Sequence, residues 1–284
     1  MKTGQPSIKE LKRKAVSIRK DILTMLEKAK SGHTGGSLSE VEILLALYKY
    51  KLKFDPKNPS WSERDRFILS KGHGCPALYA VLADVGFFPR EELWTLRKMG
   101  SRLQGHPQIG LPGLEVSSGS LGQGLSIANG MALGLRLDKK PSRVYCLIGD
   151  GESNEGQIWE AAMTAAHYNL DSICAIMDRN RFQIDGLCCD VKELIYMRSK
   201  WEAFGWHAIE VDGHDIKDLM DALDEAEGTK KRPTIIIADT IKGKGVSFIE
   251  HNNKFHGVTP KADELEAAIK ELDKELEKIE REKE

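Results

Sequence analysis

The sequence predicts an α/β fold with a mainly parallel central sheet and helices on both of its faces. Five short β-rich runs carry that prediction: 66–70 (RFILS), 143–149 (RVYCLIG), 172–178 (SICAIMD), 207–211 (HAIEV) and 234–239 (TIIIAD). They are continuously apolar rather than alternating, as strands covered on both faces are, and helical patterns separate most of them. Sheets of this kind bind ligands beyond the carboxyl ends of their strands, where loops lead into helix N-termini, so those loops are where chemistry is expected.

Taken in order, residues 7–30 place Leu11, Ala15, Ile18, Ile22, Met25 and Leu26 at helical spacing and run out at Ser31-Gly32, which predicts an opening helix and its stop. The first strand run comes next. The stretch 101–124 (SRLQGHPQIGLPGLEVSSGSLGQG) is long, Gly-rich and ill suited to regular structure, which in a compact domain predicts a binding loop. The four later strand runs succeed it. The last segment, 261–284, is a charged helix with Leu265, Ile269, Leu272, Leu276 and Ile279 on one stripe, expected to pack on the domain or on a neighbouring chain. The expected division is therefore a domain over 1–260 and a C-terminal helix over 261–284.

With 284 residues, 40% hydrophobic and 30% charged, the chain suits one large domain whose core is big enough to fold alone. Lys plus Arg is 42 against 43 for Asp plus Glu, and no basic stripe interleaves with aromatics, so nucleic acid is not an expected partner. The opening MKTGQPSIKELKRKA has no apolar core or small-residue cleavage site, and no apolar run approaches the roughly 18 residues of a membrane span. A cytoplasmic protein without a membrane contact is expected. Five cysteines, with Cys188 and Cys189 adjacent, suit neither a disulfide framework nor a CxxC zinc site, so reduced and mostly buried thiols are expected.

The most informative stretch is 148–186, IGDGESNEGQIWEAAMTAAHYNLDSICAIMDRNRFQIDG, which reads as strand, Gly-Asp-Gly turn, helix, strand and then Asn180 in a loop. Asp150, just past a strand end, offers a carboxylate, Asn180 past the next strand offers an amide oxygen, and a backbone carbonyl such as that of Phe182 completes a hard oxygen shell. Such a shell suits magnesium or calcium, with water and phosphate oxygens in the remaining positions. Gly149 and Gly151 permit tight turning, so the Gly151 amide can approach a diphosphate near a helix N-terminus. The run Gly119-Ser120-Leu121-Gly122-Gln123-Gly124 is not GxGxxG in order and no clear strand precedes it, which opposes a nicotinamide site.

Four of the eight histidines lie in Gly-containing loops: His33 (KSGHTGG), His73 (LSKGHGC), His106 (LQGHPQ) and His256 (KFHGVTP). Together they point to a polar site that handles hydroxyls and anions near neutral pH.

The Gly-Asp-Gly turn with Asn180 in register resembles the signature of thiamine-diphosphate enzymes. The SGHxG motif after the first helix, DRFILSKGH, GSRxxGHP, GxLGQG and the HG pair near the end resemble the transketolases specifically, in that family's order and over about residues 8–260. The resemblance implies the pyrophosphate-type thiamine-diphosphate-binding fold. It also implies that Asp150, Asn180 and the Phe182 carbonyl hold a divalent metal (Mg2+, or Ca2+ or Mn2+). Gly119, Ser120, Leu121, Gly151, His73 and His256 would contact the cofactor, and His33, His106 and His256 would face the sugar. Glu155 and Glu160 match acidic positions that form a carboxylate cluster across the subunit interface. Thr34 is a departure, since the family commonly has proline after the first histidine, and it alters loop stiffness.

The implied chemistry is carbon-carbon cleavage with thiamine diphosphate as electron sink, which passes a ketol unit from a ketose phosphate to an aldose phosphate. In the family, the glutamate that protonates the aminopyrimidine, and most arginines for the sugar phosphate, lie on a later domain. The chain is therefore expected to need a separate pyrimidine-binding C-terminal subunit, in a two-plus-two (α2β2) assembly. Relatives of the deoxyxylulose-phosphate synthase type, or 2-oxo acid dehydrogenase alpha subunits, share Gly-Asp-Gly and Asn but not all four histidine loops. A transketolase for an unusual sugar phosphate or sulfonate, and a non-catalytic cofactor-binding descendant, are the remaining alternatives.

Overall fold

Ser7 opens the first helix, α1 (Ile8–Ala29), through a capping box in which its Oγ accepts from the Glu10 amide while its own amide donates to Glu10 Oε2 at 2.6 Å. Lys30 in the left-handed region (φ 51°) ends the helix one residue before the expected Ser31-Gly32 stop. The computed structural model describes residues 6–282. Residues 1–5 and 283–284, where the expected domain begins and the expected last helix ends, lie outside the described residues.

Two short helices come after α1, namely α2 (Thr34–Ser39) and α3 (Val41–Ala46), the second running into a π turn over Leu47–Lys51. Then come β1 (Arg66–Leu69), α4 (Cys75–Asp84), α5 (Gln123–Leu137), β2 (Val144–Gly149), α6 (Gly156–His167), β3 (Ile173–Arg179), α7 (Cys188–Val191) and α8 (Met197–Ala203). β4 (His207–Asp212), α9 (Ile216–Gly228), β5 (Thr234–Asp239) and α10 (Ala262–Arg281) complete the chain. All five strands fall within one residue of the expected runs. The long loop does end slightly early, because Gln123 and Gly124 already belong to α5.

The sheet is parallel throughout, in the order β1-β2-β3-β5-β4. Successive strand residues face opposite ways, which divides the core into two layers. Phe67, Leu69, Tyr145, Leu147, Cys174 and Ile176 bury against α1, α3, α4 and α9, while Ile68, Cys146, Ile148, Ala175 and Met177 bury against α5, α6 and α8. Both faces are covered, which is why the runs are apolar without alternation. Ala268, Leu272 and Ile279 of α10 bury in the first layer, and Lys20 of α1 holds Asp273 at 2.5 Å.

Register brings the strand ends level. Gly149 pairs with Asp178, and Asp178 with Ala238, so β2, β3 and β5 end together. Asp150, Asn180 and the segment from Thr240 onward therefore leave the sheet side by side. Among the described residues no helix is long and apolar enough to cross a membrane.

Candidate active site

Four histidines far apart in sequence meet beyond these strand ends. The His33 ring centroid lies 5.2 Å from that of His73, 5.7 Å from His256 and 6.1 Å from His106, and His73 stacks on His256 at 5.6 Å. His33 comes from the turn before α2, His73 from the turn after β1, His106 from the long loop and His256 from the segment before α10. Burial, reinforced by Arg97, His106, Lys71 and Lys242, drives His33 down to about 4. Burial and Lys242 bring His256 to about 4, His73 is pushed well below its ordinary value, and burial with Arg97 lowers His106. At neutral pH the rings are therefore uncharged, each with one donating and one accepting nitrogen. His33 Nδ1 and Ser118 Oγ are buried with no hydrogen-bond partner among the described residues.

Local chemistry sets each loop. Thr34 Oγ1 donates to the Val258 carbonyl at 2.8 Å, tying the His33 turn to the segment just after His256. Proline at this position offers no such bond. Gly35 is required for a close approach, because a Cβ there would lie 2.9 Å from Lys242 Cγ and 3.3 Å from the Phe255 carbonyl oxygen. Gly119 (φ 149°) backs directly onto the His106 ring, and it, Ser120 and Leu121 are all exposed. His214, outside the four, is structural: Nδ1 lies 3.0 Å from Glu42, and Nε2 accepts from the Ile241 amide at 2.8 Å.

The Gly-Asp-Gly turn faces the same cleft. Asp150 and Asn180 are each 8% exposed. Asp150 Oδ2 accepts from the Arg181 amide at 2.6 Å, and Asn180 Oδ1 accepts from the Phe182 amide at 3.2 Å. Both side chains thus converge on the turn 180–182. Asn180 Nδ2 donates to Asp178 at 3.1 Å, which fixes its amide oxygen as the outward acceptor. Burial and Asp178 push Asp150 up to about 6, a cost that a divalent cation would relieve. One carboxylate with neutral amide and carbonyl oxygens fits a hard cation that keeps phosphate and water ligands.

One expectation at this turn needs revision. The helix does not come directly after Gly-Asp-Gly: a 3-10 turn over Gly151–Asn154 intervenes, and α6 starts at Gly156. The Gly151 amide donates to Asp150 Oδ1 at 2.7 Å, because the carboxylate caps that 3-10 turn. Glu155 precedes α6, and both it and Glu160 are exposed. Cys75, Cys146 and Cys174 are buried as expected, while Cys188 is half-buried, Cys189 is exposed, and all five thiols are free. Burial and the Asp150 carboxylate push the Cys188 thiol up to about 12.

Sequence reasoning missed the two buried lysines that link these parts. Lys242 Nζ lies 2.7 Å from His256 Nδ1, donates to Asn253 Oδ1 at 3.1 Å and sits 5.2 Å above the Phe182 ring, joining the histidines to the cation turn. Lys71 Nζ contacts Asp178 at 2.8 Å, Glu40 at 2.5 Å and the Gly36 carbonyl at 3.0 Å. It also missed Glu152, whose buried carboxylate accepts from the Gly122 amide at 2.8 Å and the Gly149 amide at 3.0 Å, and thereby docks the Gly-rich loop on the cation turn. The available signal was positional: Lys71 precedes the Gly-His pair, Lys242 stands in IKGKG, and a lysine just past a buried strand rarely serves solubility.

Burial pushes Glu40 up to about 8 against the pull of Lys71, whose Nζ lies 2.5 Å from Oε2. A carboxyl raised above its unfolded value of 4.5 stabilises the fold fully below that value, and the contribution is lost as pH rises towards about 8. Glu40→Gln should flatten this fall, measured as urea midpoints between pH 5 and pH 8, where the wild-type midpoint declines more steeply.

Neutral imidazoles, a buried lysine pair and an acid-amide turn lie at the ends of a parallel sheet, in an α/β domain that the comparisons with known proteins place in the thiamine-diphosphate-binding class. The chain belongs to the transketolase family, since the model for "Transketolase, thiamine diphosphate binding domain" matches residues 11–279. It is 46% identical over 267 residues to the 6-deoxy-6-sulfo-D-fructose transketolase subunit of Clostridium sp. (strain MSTE9), covering 94% of this chain and 97% of that one. An apulose-4-phosphate transketolase subunit of Phocaeicola vulgatus is 44% identical over 264 residues, covering 93% and 94%. Transketolase from Leishmania mexicana superposes with a TM-score of 0.83 at 30% identity, over 97% of this chain but only 46% of that one.

Proposed function

We propose that this chain is the cofactor-anchoring subunit of a two-chain transketolase, which moves a ketol unit from a ketose phosphate to an aldose phosphate. Magnesium (or calcium or manganese) and thiamine diphosphate bind at the cleft, and a pyrimidine-binding subunit completes an α2β2 enzyme in the cytoplasm. The observation that carries the reading is the four-histidine cluster joined through Lys242 to the Asp150-Asn180 turn. Its support in sequence is that the two subunit relatives match it nearly end to end.

Thiamine diphosphate supplies an electron sink for the pair released when a carbon-carbon bond breaks. Asp150, Asn180 and the Phe182 carbonyl hold the cation, and Gly119 to Leu121, Gly151, His73 and His256 line the cofactor. The neutral His33, with its unpartnered Nδ1, accepts from a sugar hydroxyl, and His106 acts beside it. The Lys242 ammonium donates to His256 Nδ1, which leaves Nε2 as the protonated, donating nitrogen of that ring. Glu155 and Glu160, exposed in the isolated chain, meet the partner's carboxylates. The names of the relatives, a sulfosugar transketolase and an apulose-phosphate transketolase, favour an unusual sugar as donor or acceptor.

The test is reconstitution. The chain is assayed for ketol transfer alone and with a candidate partner, thiamine diphosphate and magnesium, against xylulose 5-phosphate, sulfofructose and apulose 4-phosphate. Activity is expected only in the mixture. Full activity from this chain alone contradicts the two-chain reading, and cofactor binding without transfer in any mixture favours the non-catalytic alternative.

A further inference from the structure

Beyond its charge effect on His33 and His106, Arg97 has no part in the roles above. It stands just past the 3-10 turn Arg90–Thr95 with a left-handed backbone (φ 58°), which turns the chain back towards Leu103. Its amide donates to the Leu103 carbonyl at 2.8 Å, and Nη1 donates to Ser31 Oγ at 2.7 Å, two residues before His33. The rest of the guanidinium lies against Gly105, one residue before His106. A methyl group at Gly105 would lie 2.2 Å from Nη2, 2.4 Å from Cζ and 2.5 Å from Nε. The fork occupies the space that a side chain at 105 would fill.

We propose that Arg97 is a positioning residue, its guanidinium bridging the loop that carries His33 to the loop that carries His106, so that the two imidazoles are presented as a fixed pair. The catalytic meaning of the pair rests on the transketolase reading, whereas the bridge does not. Because the guanidinium is always charged, it opposes a second positive charge on either ring. His33 faces His106, Lys71, Lys242 and the rings of His73 and His256 besides Arg97, and His106 faces Arg97 and the His33 ring. Among the described residues Arg97 is the charged side chain outside the histidine cluster that acts on both, so removing it makes both rings easier to protonate. Lysine keeps the charge but is a single point on a flexible stem that cannot span both loops.

The test begins with histidine titration in the full chain by NMR, with signals assigned through His33→Gln and His106→Gln. In Arg97→Met both midpoints should rise by about one pH unit, and in Arg97→Lys by less than half as much. Gly105→Ala, whose methyl meets the guanidinium end of Arg97, displaces the fork but keeps its charge, and should raise both midpoints by less than Arg97→Met does. In the enzyme assembled with its partner, the acid limb of kcat/KM should move upward in the same order. There kcat falls about tenfold or more in both arginine variants, with thiamine diphosphate affinity unchanged. Unmoved midpoints in Arg97→Met, or an equal kcat loss in both variants with an unmoved acid limb, overturns the proposal. The titration needs no turnover, so absence of ketol transfer in every form refutes the transketolase reading while the titration still decides the bridge. If Arg97→Met does not fold, Arg97→Lys and Gly105→Ala carry the same decision.

Discussion

Asp150→Ala abolishes magnesium-dependent binding of thiamine diphosphate, weakening it by at least about 100-fold in a calorimetric titration. Both oxygens of the wild-type carboxylate are fixed by backbone donors, from Gly151 at 2.7 Å and Arg181 at 2.6 Å, so it is aimed before any cation arrives. It is the negative group of the donor set, and Asn180 and a carbonyl alone cannot offset the charge of a divalent ion. Chelator should reduce wild-type affinity to that of the variant and leave the variant unchanged. Burial and Asp178 raise Asp150 to about 6, and a cation needs the ionised form, so wild-type metal affinity should fall as pH drops through that value. An unaltered affinity in Asp150→Ala would mean that the diphosphate is held without this turn.

Lys71→Met destabilises the fold by roughly 3–5 kcal/mol, read from urea denaturation. Lys71 is 1% exposed, and Asp178 and Glu40 are fully buried against it. Asp178 stays ionised because the pull of Lys71, with donors from Thr240 and Ser39, outweighs its burial. Methionine preserves much of the volume but strands that carboxylate, which sits under Asn180 and orients its amide. A second change, Asp178→Asn, should restore part of the lost stability while leaving cofactor binding poor. A loss below about 1 kcal/mol would show that water or a shifted proton replaces the lysine.

Sequence carried much of this architecture for identifiable reasons. The strand runs were legible because a sheet covered on both faces needs uninterrupted apolar residues, and α1 was legible because its exposed face is polar. The segment 34–48 gave no period, since α2 and α3 are buried on nearly every side and present no polar stripe to read. The site's residue types were legible too, because His33, His73, His106, Asp150 and Asn180 each stand beside glycine or a strand end. Their electrostatics were not. Whether an imidazole titrates at 6.5 or near 4 depends on burial and on Arg97 and Lys242, which are remote from His33 in sequence. Likewise the sequence placed the Gly151 amide near a diphosphate but gave no sign that the adjacent carboxylate also accepts from it. Glu152 escaped notice because a Gly-Asp-Gly turn draws attention to its aspartate, and only the fold brings the Gly122 amide to the next acid.

Diffraction from crystals of this chain grown with thiamine diphosphate and manganese, recorded at the manganese absorption edge, tests the cation assignment most directly. The expected result is one anomalous peak roughly 2.1 Å from side-chain oxygens of both Asp150 and Asn180, with diphosphate oxygens in the same shell. A bound diphosphate whose metal lies elsewhere, with those two side chains turned away from it, contradicts the assignment.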